Sequence, residues 1–210
     1  MTYKIQGIII GKKDYRDVDR LFTFYTFEHG KIQVLAQGTR KIESKLSGNL
    51  ELLNYCICTV AKARMLDRIA TVDMIDAFQS VKDQFNQLTT ALYCFEIFGQ
   101  CVKWEERDES LFVLLVDFLE TLRKTDRRSS LMILSNLFIL KLFSVLGYYE
   151  PDTALDEVHR QLASSSLHDC IGFCDEKSFV PAMQKLLERH VEAHVQSKQY
   201  FDFLIGAKSV

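Results

Sequence analysis

Residues 30–46 read GKIQVLAQGTRKIESKL and join a short strand to a basic loop. Gly30 and Lys31 form a turn, and the apolar residues after them alternate as expected of a strand with one buried face. The run ends at Gly38. Three cations follow that end: Arg40, Lys41 and Lys45. A strand that ends in a cationic loop is suited to present charge to a phosphate backbone.

Strand patterns on both sides of this stretch predict a small antiparallel barrel. The turn at residues 28–31 joins two of the runs into a hairpin. Five short strands within about 80 residues are typical of an oligonucleotide-binding (OB) barrel, which leaves no sheet edge exposed. The predicted strands are Tyr3–Ile10, Arg20–Phe27, Ile32–Ala36, Leu50–Ala61 and Arg68–Phe78.

From Val81 onward the apolar period becomes helical, which predicts an α+β protein. We expect a five-stranded OB-fold β-barrel over residues 1–80 and an α-helical domain over residues 81–210. Asp108 is the predicted N-cap of the second helix, Ser129 or Ser130 that of the third, and Gly147 ends the third. The predicted helices are 84–104, 111–122, 131–146, 155–167 and one that begins at Pro181 and runs to His194 or Lys198.

Charge divides the chain into a basic and an acidic part. The 210 residues carry a net charge of −2. Residues 1–80 hold 12 Lys and Arg against 9 Asp and Glu, whereas residues 81–210 hold 14 against 19. The basic excess favours a polyanionic partner for the N-terminal part.

The six cysteines and the N-terminus indicate a reducing compartment. Cys56 and Cys58 are two residues apart in a predicted strand, so they share a face and are poor disulfide partners. No signal peptide or apolar run of membrane-spanning length is evident, so we expect a cytoplasmic protein without a membrane partner.

An ordered set of short motifs runs through the first 50 residues and continues more thinly to residue 151. It comprises Tyr3-Lys4, Ile8, Asp17–Leu21, Thr26, Glu28–Lys31, Ala36–Lys41, Ser44–Leu46, Leu137-Phe138, Leu142, Leu146–Tyr148 and Pro151. In this order the motifs resemble the RecO family of bacterial DNA-repair proteins.

The resemblance implies an OB barrel followed by a helical domain, in a recombination mediator rather than an enzyme. Such a protein binds single- and double-stranded DNA, anneals complementary strands and associates with RecR. It also recognises the acidic tail of single-strand-binding protein, and so helps the RecA recombinase onto coated single strands. Many family members carry a four-cysteine zinc module near the C-terminus.

That module is incomplete here, so we expect no cofactor and a divergent C-terminal part that has lost its zinc. Cys170 and Cys174 are separated by three residues, and a structural zinc site needs four ligands with tighter pairing. The nearest candidate ligands are His168, Cys170 and Cys174.

The predicted DNA contacts are cations around the first loops of the barrel. The interspersed Asp14, Asp17 and Asp19 weaken the case for the earlier ones, and in this loop they are better explained as ion-pair partners than as a magnesium site. Tyr25 is a candidate for base stacking. The predicted contacts are Arg40, Lys41, Lys45, Lys31, Lys12, Lys13, Arg16 and Arg20.

A second basic cluster lies in the predicted helical domain, between two apolar helices. Beside an apolar groove it would suit an acidic peptide that ends in an aromatic residue, although an ordinary solvated connection has the same composition. The cluster comprises Arg123, Lys124, Arg127 and Arg128.

Two other functions remain open from the sequence. The net −5 of residues 81–210 suits a protein–protein adaptor of a repair complex with weak DNA affinity, and an OB barrel can also bind RNA. An enzyme is not expected, because the chain has no Walker-type loop, no G-x-S-x-G and no G-x-G-x-x-G.

Overall fold

The computed structural model describes residues 1–40, 48–149, 155–172, 174 and 176–190. Lys41, Lys45 and the predicted end of the last helix at His194 or Lys198 lie outside the described residues. Two compact units are present. The first comprises residues 1–78 and 102–112, and the second comprises residues 79–101 and 113–210. Residues 102–112, which the sequence analysis assigned to the helical domain, thus belong to the first unit.

Five strands close into a barrel in the order β1-β2-β3-β5-β4. A single parallel pair, Leu35 with Arg68, joins β3 to β5, and the remaining pairs are antiparallel. The structure therefore confirms the predicted barrel. The strands are β1 (Thr2–Tyr15), β2 (Asp19–Thr26), β3 (Gly30–Ala36), β4 (Tyr55–Ala61) and β5 (Arg68–Asp76).

Strand β1 continues five residues beyond its predicted end at Ile10. Its pairing with β2 shifts register between Ile9 and Gly11 and then continues to the pair Tyr15 and Asp19. A bulge of this kind bends a strand and increases its twist, so a polar segment can extend the hairpin beyond the core. The extension was not predicted, because residues Lys12–Tyr15 show no apolar alternation.

Side chains on one face of each strand fill the barrel. Phe22 and Phe24 are 1% and 0% exposed, as their alternation predicts. Cys56 and Cys58 share the core face with their sulfurs 3.7 Å apart, and both thiols are free. Tyr25 is 0% exposed, and its hydroxyl donates to the carbonyl of Asp108 at 3.2 Å. The base-stacking hypothesis for Tyr25 is therefore wrong.

Seven helices are described in the rest of the chain. Asp108 caps α3, because its Oδ1 accepts from the N–H groups of Ser110 at 2.8 Å and Leu111 at 3.4 Å. Helix α4 begins one residue before Ser129 and has no side-chain cap, so the predicted serine cap is wrong. The helices are α1 (Gln79–Lys82), α2 (Phe85–Cys101), α3 (Glu109–Leu122), α4 (Arg128–Val145), α5 (Asp156–Ser164), α6 (Leu167–Ile171) and α7 (Glu176–His190).

The sequence predicted the end of α4 correctly but placed the start of α7 too late. Gly147 has a φ of 76° just after α4, and Tyr148 N–H donates to the carbonyl of Phe143 at 2.8 Å, which closes the helix as predicted. Pro181 lies inside α7 rather than at its start. The buried residues Phe179, Met183 and Leu186 follow a helical spacing that begins before Pro181, and this spacing was the available signal.

Helix α4 is the core of the second unit. Among the described residues, α4 is the one helix that is long and apolar enough to cross a membrane. Its mean hydropathy is 1.4, but 61% of the stretch Arg128–Val145 is buried within the protein. Leu134, Leu137, Phe138 and Leu142 are all 0% exposed. A helix that is apolar on all sides is expected at the centre of a bundle.

Candidate nucleic-acid interface

Two predicted DNA contacts, Arg20 and Arg40, pair with one carboxylate of the β1–β2 hairpin, that of Asp14. Asp14 and Arg20 are cross-strand partners, and Arg20 Nε donates to Asp14 Oδ1 at 2.9 Å. Arg40 Nη1 lies 3.6 Å from Asp14 Oδ2. The bond from Arg20, followed by the charge of Arg40, lowers the pKa of Asp14. Lys12, Lys13 and Arg16 are exposed on the same hairpin.

Two hydrogen bonds donated by backbone N–H groups attach the loop after β3 to this hairpin. Arg40 N–H donates to the carbonyl of Val18 at 3.1 Å, and Gly38 N–H donates to Asp19 Oδ1 at 2.8 Å. Asp19 is only 8% exposed, so it fixes the loop and does not face solvent. The structure thus brings Arg40 and Arg20 together, and it leaves Arg40 exposed.

A third cationic element, the β4–β5 turn, adjoins the end of β3. Leu35 N–H donates to the carbonyl of Asp67 at 2.8 Å, and Arg68 Nη1 lies 3.4 Å from Gln37 Oε1. Three exposed cations lie in or beside this turn: Lys62, Arg64 and Arg68. They are not among the predicted contacts, because this turn reads in sequence as a simple connection between strands. Three cations against one anion within seven residues was the available signal.

These three segments form what we call the barrel-end surface: residues 12–20, 37–40 and 62–68. Eight of its side chains are cationic and four are anionic. Two of the four carboxylates are used internally, because Asp19 holds Gly38 and Asp67 holds the β4–β5 turn. Cations held at fixed positions along adjacent loops can neutralise successive phosphates of a nucleic acid.

Lys31 does not belong to this surface, so its prediction as a DNA contact needs correction. It is 7% exposed, and its ammonium donates to the carbonyl of Val102 at 2.9 Å. The same nitrogen lies 4.3 Å from the centroid of the Trp104 ring. A cation placed over an aromatic face and bonded to a carbonyl is a structural anchor.

Lys31 anchors the strap, by which we mean residues 102–112, to the barrel. Glu105 N–H donates to the carbonyl of Lys31 at 2.9 Å, and Phe27 and Phe112 pack edge to face at 5.6 Å. Trp104 also forms a parallel bridge with Lys31. The strap therefore packs along the β2–β3 hairpin as part of the first unit.

We expect Lys31→Met to destabilise the barrel without weakening DNA binding. The substitution keeps most of the aliphatic stem but leaves the Val102 carbonyl without its donor, which costs about 1–3 kcal/mol. Urea denaturation followed by the fluorescence of Trp104 measures the loss, since the indole reports on the strap directly.

Lys13→Met is the matched control, because Lys13 is an exposed cation of the barrel-end surface. It should weaken DNA binding and leave the denaturation midpoint unchanged. Loss of DNA affinity in Lys31→Met at full stability would restore the original prediction.

The basic cluster of the second unit lies in the α3–α4 connection. Lys124, Arg127 and Arg128 are exposed, while Arg123 is partly buried and pairs with Glu120 at 3.2 Å. The adjoining cleft of about 550 Å³ is polar rather than apolar. It is lined by Ser80, Asp83, Gln84, Asn86, Gln87, Arg123 and Asp126.

The candidate zinc ligands do not form a metal cluster in the part of the chain that the structure describes. Cys174 Sγ donates to the carbonyl of Cys170 at 3.4 Å. Burial raises the pKa of the Cys174 thiol to about 12 and also raises that of Cys170.

Comparison with known proteins identifies the first unit. The family model described as recombination protein O N terminal matches residues 1–78. Relatives named DNA repair protein RecO match further along the chain. That of Acetivibrio thermocellus is 30% identical over 149 residues, 70% of this chain and 59% of the relative. That of Symbiobacterium thermophilum is 25% identical over 146 residues, which are 70% of this chain and 57% of the relative.

A third relative of the same name, from Dehalococcoides mccartyi, is 29% identical over 163 residues, 78% of this chain and 63% of the relative. The closed barrel at residues 2–76 is an OB fold followed by helices, as in a nucleic-acid-binding protein. Residues 1–78 match the RecO N-terminal family model, and the relatives named RecO extend the similarity over 70–78% of this chain. It spans less than two thirds of the length of each of these relatives.

Proposed function

We propose that this chain is a cytoplasmic DNA-repair protein that acts as a recombination mediator. It binds single- and double-stranded DNA, anneals complementary strands and, with RecR, helps to load RecA onto strands coated by single-strand-binding protein. The observation that carries the proposal is the convergence of three cationic loops on the barrel-end surface. The name DNA repair protein RecO, carried by its relatives, supports the same function.

The mediator acts by charge neutralisation and requires no bond chemistry. Bound cations release counterions from each phosphate, so affinity falls as salt rises, with a logarithmic slope of about −0.7 per contacted phosphate on a single strand. Neutralising two complementary strands also lowers their mutual repulsion, which is the main electrostatic barrier to annealing.

Binding and annealing of a labelled strand and its complement, measured together at low and moderate salt, test this function. The proposal predicts salt-sensitive binding and an annealing rate above that of the free strands. Absence of binding at low salt would reject it. Accelerated annealing of RNA but not of DNA strands would assign the barrel to RNA instead.

Asp14→Asn should strengthen oligonucleotide binding. Asp14 is exposed and pairs with both Arg20 and Arg40. Neutralising its carboxylate therefore leaves two guanidinium groups available to bind phosphate and removes one charge that repels DNA. We expect affinity at low salt to rise about threefold, with a steeper salt dependence. Fluorescence anisotropy with a labelled single strand measures both quantities.

Asp73→Asn is the control for that gain, because Asp73 is an exposed carboxylate on β5 and lies outside the barrel-end surface. An equal gain in both variants would mean that net charge, rather than the arginine pair, sets the affinity.

The second unit supports a role in holding protein partners. Its net charge of −3 disfavours DNA, whereas the exposed Lys124, Arg127 and Arg128 suit the acidic tail of single-strand-binding protein. The polar lining of the nearby cleft offers no apolar pocket for an aromatic terminus, so the contact would be mainly ionic. Capture of RecR or of this tail without measurable DNA affinity would favour the adaptor over the mediator.

A further inference from the structure

Asp67 makes three of the hydrogen bonds that hold the β4–β5 turn in place. Its Oδ1 accepts from Ala63 N–H at 2.9 Å, and its Oδ2 accepts from the Tyr3 hydroxyl at 2.7 Å. Its carbonyl accepts from Leu35 N–H at 2.8 Å. These bonds attach the turn to β1 and β3 as well as closing it on itself, so the residues at its tip have a defined position.

Met65 projects from that tip and is 88% exposed. A single exposed apolar side chain is common on a protein surface and needs no explanation by itself. Met65 differs because its turn is fixed and because Lys62, Arg64 and Arg68 surround it in sequence. An apolar tip among cations combines attraction for a phosphate backbone with a surface for nucleobases.

The chemistry of the methionine side chain defines what it can contact. The thioether is polarisable and packs favourably against aromatic rings, worth about 0.3–1.5 kcal/mol per contact. Nucleobases present such rings. In a duplex the base faces are stacked inside, whereas an unpaired strand exposes them to side chains.

We propose that Met65 contacts the faces of unpaired bases and gives the barrel-end surface a preference for single-stranded over double-stranded DNA. The inference rests on the proposed function, since it requires DNA on this surface. The cations bind either form through phosphates, and Met65 adds a contact that only the single strand offers.

Met65→Gln tests the inference, because glutamine keeps the length of the side chain and adds no charge. We expect affinity for a single strand to fall about threefold to tenfold, as the loss of a sulfur–aromatic contact implies. Affinity for a duplex and both salt slopes should stay unchanged. Ile75→Gln is the matched control: Ile75 is 46% exposed on β5, seven residues from Arg68 and therefore roughly 23 Å along the strand.

A second measurement needs no variant. The wild-type protein should bind a strand with abasic sites less tightly than an intact strand, and Met65→Gln should show little of this difference. Wild-type protein that binds no DNA would reject the proposed function and this inference together. If Met65→Gln lost the same affinity for the duplex as for the single strand, only the role of Met65 would be overturned. The same conclusion would follow if the wild-type protein bound DNA equally well with and without abasic sites.

Discussion

Gly30→Ala is expected to lower the thermal midpoint of the first unit by about 10 °C. Gly30 has a φ of +65°, where a side chain costs about 1–2 kcal/mol. A Cβ at this position would also lie 2.1 Å from the carbonyl oxygen of Glu106 and 2.6 Å from its carbon. Both atoms belong to the backbone of the strap, so relief requires the strap to move away from the β2–β3 hairpin.

The total cost is about 2–5 kcal/mol once forced overpacking is included. For a chain of this length, each kcal/mol corresponds to about 2–4 °C. Circular dichroism and Trp104 fluorescence during a thermal scan measure the shift, and the indole should respond first.

Gly48→Ala is the control for this prediction. Among the described residues other than its chain neighbours, no atom lies within 4 Å of the Cβ that it would add. The variant should melt within about 1 °C of the wild type, in line with a substitution at an unconstrained surface position. If Gly30→Ala also melted unchanged, the close approach of the strap to the hairpin would be wrong.

The barrel was predictable because its signals are local. Alternation in β2 and β3, with a turn glycine between them, specifies a hairpin through contacts that span few residues. The same applies to Asp108, whose carboxylate caps a helix that starts at the next residue. The order of the short motifs, compared with that of a known family, supported the same barrel, and periodicity alone does not contain this information.

The strap and the role of Lys31 could not be predicted, because they depend on contacts between distant residues. Lys31 meets Val102 and Trp104 across 71 and 73 residues of chain. A lysine after a turn glycine has the same local pattern whether it faces solvent or a carbonyl. Only the return of residues 102–112 to the barrel decides between these environments.

The candidate site was predicted in part for the same reason. Arg40 and Arg20 were identifiable as cations near strand ends, but their meeting at Asp14 depends on register and on the bond between Arg40 and Val18. The β4–β5 turn is part of the surface because Leu35 bonds to Asp67, a contact that the sequence does not reveal. Sequence thus identifies charged residues, and tertiary structure determines which of them form one surface.

Arg40→Glu combined with Lys41→Glu is expected to produce the largest loss of DNA binding. Arg40 is exposed, and its backbone bond to Val18 survives the substitution, so the loop should keep its position. The side-chain pair with Asp14 is a surface contact that contributes little to stability. The change reverses two consecutive charges in the sequence after β3, and at Arg40 it places a new carboxylate beside Asp14.

Affinity for a single strand at low salt should fall about 30-fold or more, and the logarithmic salt slope should become shallower by about 1–2. Anisotropy titrations at several salt concentrations measure both. Lys124→Glu with Arg127→Glu is the matched control, because it makes the same change in net charge at exposed residues of the second unit. If the control lost as much affinity, the effect would be one of net charge. If the loop variant bound as the wild type does, the loop after β3 would not contact DNA, and the phosphate contacts would have to lie elsewhere on the barrel.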